Sequence, residues 1–527
     1  MSAVNRLLAA RGPLLAALLA ALASVPALTL PFLADDWIDL AVAAGLRAKA
    51  PFGYFRPLCF LTYDLEWRLW ALTPALSHLT NLILIAASAA FVVVLIRRYT
   101  GDGALAGAAG LIFAIYPYHV ENAAWIAARA DPLFAVFFLA AAYSYDRWRV
   151  ALRGVPVAAL LLFEAALLSK EAAVTLPVFL LLVAACDRGR RPGRAEWFRG
   201  HVPMIVLANV HFLWLRQGAI GNSGLRVFDT LGPYWIKKLL AFAVAALIPV
   251  QTEFLEGRPF LFGVIALVAG AALVVGARAG SRAVPRLVLA ATAAFIVLLG
   301  PSILSFQARY LFLPSAASAL ALAALIRSAP RKFQIAAVVV LCAGWMGVSA
   351  EQWAGWRAAG SVSRILVADL VEASRRPEVR ELVVANMPHR VHGAPISHDF
   401  AAAVQLSGGR PVAVVAATLV DYVDPSADGL DGTIDAAITF PPPAAEVRLR
   451  IPAQRYSRCV RPVPRDGTTV NVEAGVTVGF EPGGVIQVRI EPDQARSRSL
   501  LLWESGRLPT LREASLATGV HTNVRVM

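Results

Sequence analysis

The stretch LSHLTNLILIAASAAFVVVLIRR, residues 76–98, decides the fold class. From Leu76 to Ile96 it carries no Asp, Glu, Lys or Arg, and it stops at Arg97-Arg98. About 20 apolar residues, each rising about 1.5 Å in a helix, cross a hydrocarbon core of about 30 Å. Similar runs recur on either side. Upstream, an uncharged stretch from Gly12 to Ala34 follows Arg6 and Arg11. It has the outline of a signal peptide, but its apolar length fits a retained span better. Downstream, candidate spans cover about 104–118, 132–146, 155–169, 172–186, 202–216, 235–250, 260–277, 287–305, 311–326 and 333–350.

The composition agrees. Of 527 residues, 58% are hydrophobic and 16% charged, against about 25% charged in a soluble domain. Mean hydropathy is +0.62. These values exclude a disordered chain, a collagen-like chain and a disulfide-stapled module. The formal charge, 49 − 35 = +14, follows from Lys and Arg in short loops between apolar runs. No stretch joins a basic face to interleaved aromatics on a soluble fold, so no nucleic-acid partner is expected. Cys59, Cys186, Cys342 and Cys459 form no CxxC pair and suggest neither zinc nor redox chemistry.

The loops set sidedness. Arg6 and Arg11 place the N-terminus in the cytoplasm, so Asp35 and Asp36 emerge outside. Arg97-Arg98, the loop Asp146 to Arg153 and the run Arg188 to Arg194 then all fall inside. If every later run crosses, Arg278, Arg282, Arg286, Arg327, Arg331 and Lys332 fall outside. A re-entrant or interfacial segment at 235–250 restores them. That run is short, has Lys237 and Lys238 near its start and ends at Pro249, before Glu253 and Glu256. The expectation is about eleven crossings, with the C-terminal region extracytoplasmic.

Near residue 352 charges, prolines and turn signals appear (DPSADG, FPPPA, EPGG), and TTVNVEAGVTVGF alternates as strands do. The chain therefore divides into a transmembrane part, 1–351, and a soluble α+β or β-rich domain, 352–527. No tetratricopeptide period runs through the latter.

Ionisable groups near hydrocarbon are costly and mark function. Asp35-Asp36, His119 and Glu121, Arg129 and Asp131, Lys170-Glu171 and Arg309-Tyr310 all fall at the outer ends of candidate spans. Each has a plain alternative: a solvated helix end, an interfacial histidine, a polar turn or a headgroup anchor. Their shared side favours one site at the outer interface. Two adjacent carboxylates can serve as a general base, and Asp36 is a candidate ligand for a divalent metal, Mg or Mn. Arg and Lys at headgroup depth suit a lipid phosphate. Transfer from a lipid-phosphate donor would use both, the cations stabilising the phosphate leaving group.

The text ADDW (34–37), YFRPL (54–58), HLTNL (78–82), YPYHVENAAWIAARADPLFAVFFL (116–139), SKEAAVTLP (169–177) and ARYLFLP (308–314) resembles the GT-C superfamily of membrane glycosyltransferases. The nearest likeness is to the transmembrane O-mannosyltransferases that carry tetratricopeptide repeats, and to their bacterial relatives. The resemblance implies a polytopic helical GT-C-like fold and a polyprenyl-phosphate-linked sugar donor. It gives Asp35 or Asp36 the role of base toward an acceptor hydroxyl. It carries over Arg56, His119, Glu121, Arg129, Asp131, Lys170, Glu171, Arg309 and Tyr310 as substrate-binding candidates. Two features depart from the pattern: the repeat array is replaced by residues 352–527, and Ala128 stands where the family's GRxD has glycine. The resemblance implies inversion at the sugar. The acceptor, whether glycan, lipid or protein, is not specified. The competing readings are a lipid or glycolipid transporter, for which Glu164 is the main intramembrane acid, and a non-catalytic scaffold displaying the outer domain. The composition is that of a high-GC bacterial protein, which places the chain in an inner membrane.

Overall fold

The uncharged runs fold as helices. The computed structural model describes residues 3–47, 55–186, 193–211, 242–246, 283–299, 307–377, 379–391, 393–396 and 399–422, and strand segments at 434–439, 445–450, 460–461, 469–473, 476–481, 485–490, 498–504, 510–513 and 523–526. The spans expected at 260–277, at 235–250 apart from 242–246, and beyond 211 in 202–216 lie outside the described residues. So do Cys459 and the question of whether 235–250 crosses. The chain forms two units, Met1–Thr29 with Ala48–Trp353, and Leu30–Arg47 with Ala354–Met527.

Four stretches among the described residues are long and apolar enough to cross a membrane: Val4–Thr29, Pro74–Thr100, Ile126–Ala151 and Arg331–Ser374, the last running from the first unit into the second at Ala354. Their helices are α1 (Ala3–Ser24), α4 (Pro74–Thr100), α7 (Ala130–Ala151) and α13 (Arg331–Ser374). Shorter apolar helices accompany them: α5 (Gly103–Ala114), α8 (Val157–Ser169), α9 (Leu176–Cys186), α10 (Val202–Val210), α11 (Ala283–Leu299) and α12 (Ser315–Ser328). The expected span at 104–118 ends early, at Ala114. Pro117 has no N–H to continue the helix, and the chain turns instead into α6, His119–Ala124.

Small residues let α1, α4 and α5 approach closely. A Cβ on Gly107 would stand 2.8 Å from the Leu8 carbonyl oxygen, and one on Gly110 would stand 2.1 Å from Val93 Cγ2. Close backbone packing of this kind holds helices together where lipid removes the hydrophobic drive.

Between α6 and α7 the helix is interrupted, so carbonyls there need donors from elsewhere. The motif at 78–82 supplies them. His78 Nδ1 lies 3.0 Å from the Ala123 carbonyl. Asn81 Nδ2 donates to the carbonyls of Asn122 (3.1 Å) and Trp125 (3.3 Å). His78 and Asn81 are one helical turn apart on one face of α4, which is why the two polar residues sit inside an apolar helix.

The second unit is rich in strands. Its strands run β1 (Glu381–Val391), β2 (Ala394–Pro395), β3 (Ala413–Tyr422), β4 (Ile434–Thr439), β5 (Ala445–Arg450), β6 (Val460–Arg461), β7 (Thr469–Glu473), β8 (Val476–Glu481), β9 (Val485–Ile490), β10 (Arg498–Glu504), β11 (Thr510–Glu513) and β12 (Asn523–Val526). One sheet has the order β11-β10-β1-β3-β6, with β2 off β1; the other has β12-β4-β5-β9-β8-β7. In the first, β1 is parallel to both β3 and β10. Its residues Leu382, Val383 and Val384 are buried in succession, as a central parallel strand covered on both faces requires. The second sheet is antiparallel throughout, and the alternating TTVNVEAGVTVGF supplies its β7–β8 pair. Two short helices complete the unit's described core, α2 (Asp36–Ala43) and α14 (Phe400–Leu406), and they pack against each other.

Candidate active site

In the first unit, four separate segments bring their charged residues together. Arg56 stands just ahead of α3 (Pro57–Trp70), a helix the hydropathy reading missed. Glu121, Trp125 and Asp131 flank the interruption before α7. Lys170-Glu171 follow α8, and Arg309-Tyr310 precede α12. Arg56 grips Glu171 with two bonds, Nε to Oε2 at 3.0 Å and Nη2 to Oε1 at 2.7 Å. Burial works against the Arg56 charge, but the Glu171 carboxylate outweighs it and holds the guanidinium above its ordinary pKa. Lys170 Nζ pairs with Asp131 and lies 4.3 Å over the Tyr310 ring. Arg309 stacks 4.1 Å over Trp125 and makes a looser pair with Glu121, 3.5 Å from Nη1 to Oε1. Glu121 Oε2 also accepts the Arg309 backbone N–H at 3.2 Å.

The cluster thus holds three cations against three carboxylates, with access graded among them. The Lys170–Asp131 pair is sealed, each side chain 5% exposed, whereas Arg56 and Arg309 remain 21% and 16% exposed. Arg56 and Arg309 are therefore the members of the cluster whose cationic groups keep partial exposure. Arg forks suit phosphate, and a stacked Arg is already oriented.

Arg129, expected to bind substrate, is fully buried and committed within the protein. Nε donates to Asn81 Oδ1 (2.8 Å), Nη1 to Thr62 Oγ1 (3.1 Å), and Nη2 to Glu66 Oε2 (3.0 Å) and the Ser77 carbonyl (2.9 Å). Nη1 also lies 2.7 Å from Glu66 Oε1. These contacts tie α3, α4 and the turn before α7 together, so Arg129 is a structural anchor.

His119 is buried among Phe113, Tyr116 and Phe312. Ser315 Oγ gives its proton to the Phe312 carbonyl, so His119 Nε2, 3.1 Å away, donates to Ser315. The ring is therefore the neutral Nε2–H tautomer, with Nδ1 unprotonated. Burial pushes its pKa down to about 3, against about 6.5 unfolded. As pH falls below about 6.5 the unfolded chain takes up this proton first, so stability drops toward the folded value by about 1.4 kcal/mol per pH unit. His119→Gln keeps an N–H donor without titrating there. Its thermal stability between pH 6.5 and 4.5 is expected to fall less steeply than wild type. Parallel slopes would contradict a neutral buried imidazole.

Asp35 and Asp36 belong to the second unit. Ala34 has φ +48°, a left-handed conformation costly for a residue with a Cβ. Its N–H donates to the Ile396 carbonyl at 2.7 Å. Asp36 is 1% exposed, and its Oδ2 accepts the Leu33 N–H at 2.8 Å. Asp35 is half-buried, and its side chain makes no capping bond to α2. The two carboxylates therefore differ in kind: Asp36 shapes the turn, while Asp35 keeps solvent access. Asp36 was also the candidate metal ligand. No group of three or more His, Cys, Asp or Glu that could hold a metal comes together among the described residues, and one Asp36 oxygen is engaged by the backbone. Asp36 therefore forms no metal site made of protein ligands alone among the described residues.

Glu164, the intramembrane acid, lies 3.1 Å from His211 Nδ1. Reading the sequence missed Glu66, which holds Arg129; Trp125, which carries Arg309; and Ser315, which fixes the His119 tautomer. Trp125 lies inside a quoted motif, but its role depends on Arg309, far away in the chain.

No protein-family profile matches the chain. It is 35% identical over 136 residues to the protein O-mannosyl-transferase Tmtc1 of Drosophila melanogaster, covering 26% of this chain and 16% of that protein. It is 38% identical over 109 residues to human protein O-mannosyl-transferase TMTC1, covering 20% and 12%. To human TMTC2 it is 34% identical over 114 residues, covering 22% and 13%. The matched stretch thus spans about one-sixth or less of these relatives' length. Across that stretch the chain's homologues are protein O-mannosyl-transferases of the GT-C superfamily.

Proposed function

We propose that the protein is a membrane-embedded glycosyltransferase that moves a sugar from a polyprenyl-phosphate donor to an acceptor hydroxyl at the outer face of a bacterial inner membrane. The observation that carries the reading is the cluster of Arg56, Lys170 and Arg309 gathered from separate helix ends, in a chain whose homologues are named O-mannosyl-transferases. Arg56 and Arg309 take the donor phosphate. Lys170 stays with Asp131 and holds the Tyr310 ring beside Arg309 through its cation–π contact. Asp35 accepts the acceptor's O–H proton. The acceptor oxygen bonds to the anomeric carbon with inversion, the bond from that carbon to the phosphate oxygen breaks, and polyprenyl phosphate leaves with the electron pair. The cations stabilise that developing charge.

Arg309→Ala tests the reading. Transfer from a polyprenyl-phosphate sugar is expected to fall by roughly 10- to 100-fold, the loss of one charged hydrogen-bond donor to phosphate. The loss should appear chiefly as a raised KM for the donor. Arg309→Lys restores charge without the fork and should recover only part. Unchanged donor KM in folded Arg309→Ala would remove the phosphate assignment.

A further inference from the structure

We propose that the C-terminal domain is the positioning device for the acidic turn, with Ile396, Asp399 and Gly360 as the positioning elements that keep Asp35 in its working orientation. The inference deepens the transferase reading and rests on it. All contacts used here lie within the second unit.

Residues 30–47 are far from the C-terminal domain in sequence, yet they pack as part of it. Three independent ties hold them. The first is at the strained residue: the Ala34 N–H, just before Asp35, donates to the Ile396 carbonyl. A left-handed alanine is strained by its Cβ, and such conformations persist only where the surroundings over-determine them. Ile396 is itself fixed, its N–H donating to the His389 carbonyl of β1 at 3.0 Å. The second tie is at the far end of α2. Arg47 pairs with Asp399, whose other oxygen, Oδ1, accepts the Ala402 N–H at 3.0 Å and caps α14. One carboxylate therefore starts α14 and anchors the exit of α2. The third tie is steric. Gly360 lies on α13 where a Cβ would stand 2.8 Å from Pro31 Cδ and 3.5 Å from Leu30 Cδ2. Only hydrogen leaves room for the chain entering the turn.

Strain at the residue before a proposed base, held from outside the turn, is the pattern expected of stored orientation. Asp35 follows directly in the chain. Its carbonyl accepts the N–H of Ile38 at 2.9 Å and of Asp39 at 3.0 Å, so any rotation of α2 moves its carboxylate. Misplacing a reacting group by about 1 Å costs on the order of 100-fold in rate.

Gly360→Ala is the sharpest probe. In an open helix Gly→Ala is stabilising, so a loss of function reports the Pro31 contact rather than a weak helix. Gly344→Ala, on the same helix with nothing within 4 Å of the added Cβ, is the control and should leave turnover unchanged. Asp399→Asn keeps a cap for α14 and removes the ion pair; Arg47→Lys keeps the charge. With purified full-length protein and a polyprenyl-phosphate sugar, Gly360→Ala and Asp399→Asn should lower kcat roughly 10- to 100-fold. The donor KM should stay near wild type, and Arg47→Lys should retain most activity. Hydrogen exchange at amides 34–42 should rise in both impaired variants while β1 stays protected. Raised exchange with wild-type kcat, or unaltered exchange, overturns the proposal and leaves the transferase reading standing. An inactive wild type sinks both.

Discussion

Asp35→Asn is expected to lower transfer from a polyprenyl-phosphate sugar by roughly 10²- to 10⁴-fold, the range a positioned general base supplies. Asn is nearly isosteric but holds no lone pair basic enough to take a hydroxyl proton. The variant should fold. The side chain of Asp35 does not cap α2, and its backbone carbonyl, which the substitution keeps, accepts the Ile38 and Asp39 N–H groups. Asp36→Asn is the informative partner. Its amide oxygen can still accept from Leu33 N, so the turn survives with a weaker, uncharged bond. The expected order is a deep loss at Asp35 and a shallower one at Asp36. The measurement is initial transfer rate, normalised to protein that keeps its wild-type melting temperature. Full activity in Asp35→Asn, or a deeper loss in Asp36→Asn, would remove the assignment of the base.

Hydropathy made the long helices legible, but not their ends. The span read at 333–350 is part of a helix running to Ser374. Residues such as Glu351, Arg357 and Arg364 ended the apolar run without ending the helix. Helix α3 was invisible for the same reason: Asp64, Glu66 and Arg68 break the run, yet Glu66 is buried against Arg129. Near the candidate site, the ends of apolar runs pointed to Glu121, Asp131, Lys170, Glu171, Arg309 and Tyr310, which the structure brings together, while Arg56 entered only through the resemblance. What spacing could not show is which cations are spent. Arg129 and Lys170 look like Arg309 in a sequence; only burial and partner geometry separate an anchor from an accessible guanidinium. The union of residues 30–47 with the C-terminal domain had no local signal at all. It is built from backbone bonds such as Ala34 to Ile396, which any residue type can make.

Glu66→Leu should be among the most damaging single substitutions in the first unit, costing about 3–5 kcal/mol of stability. Arg129 is 0% exposed, and a guanidinium cannot shed its proton to escape an unpaired buried state. Losing Glu66 removes a hydrogen bond to Nη2 and the counter-charge beside Nη1. The Asn81, Thr62 and Ser77 oxygens still accept, but none carries a charge. Glu66→Gln separates the two losses, keeping an acceptor of the same length while deleting the charge. Its destabilisation should be clearly smaller than that of Glu66→Leu. The same pair of variants decides between the two roles for Arg129. As an anchor, it predicts that folded Glu66→Gln keeps the wild-type donor KM, since nothing that touches substrate has changed. As a donor ligand, it predicts an altered donor KM at nearly unchanged stability. Melting temperature and donor KM, measured on the same preparations, give opposite results under the two roles. A Glu66→Leu protein as stable as wild type would remove the anchor.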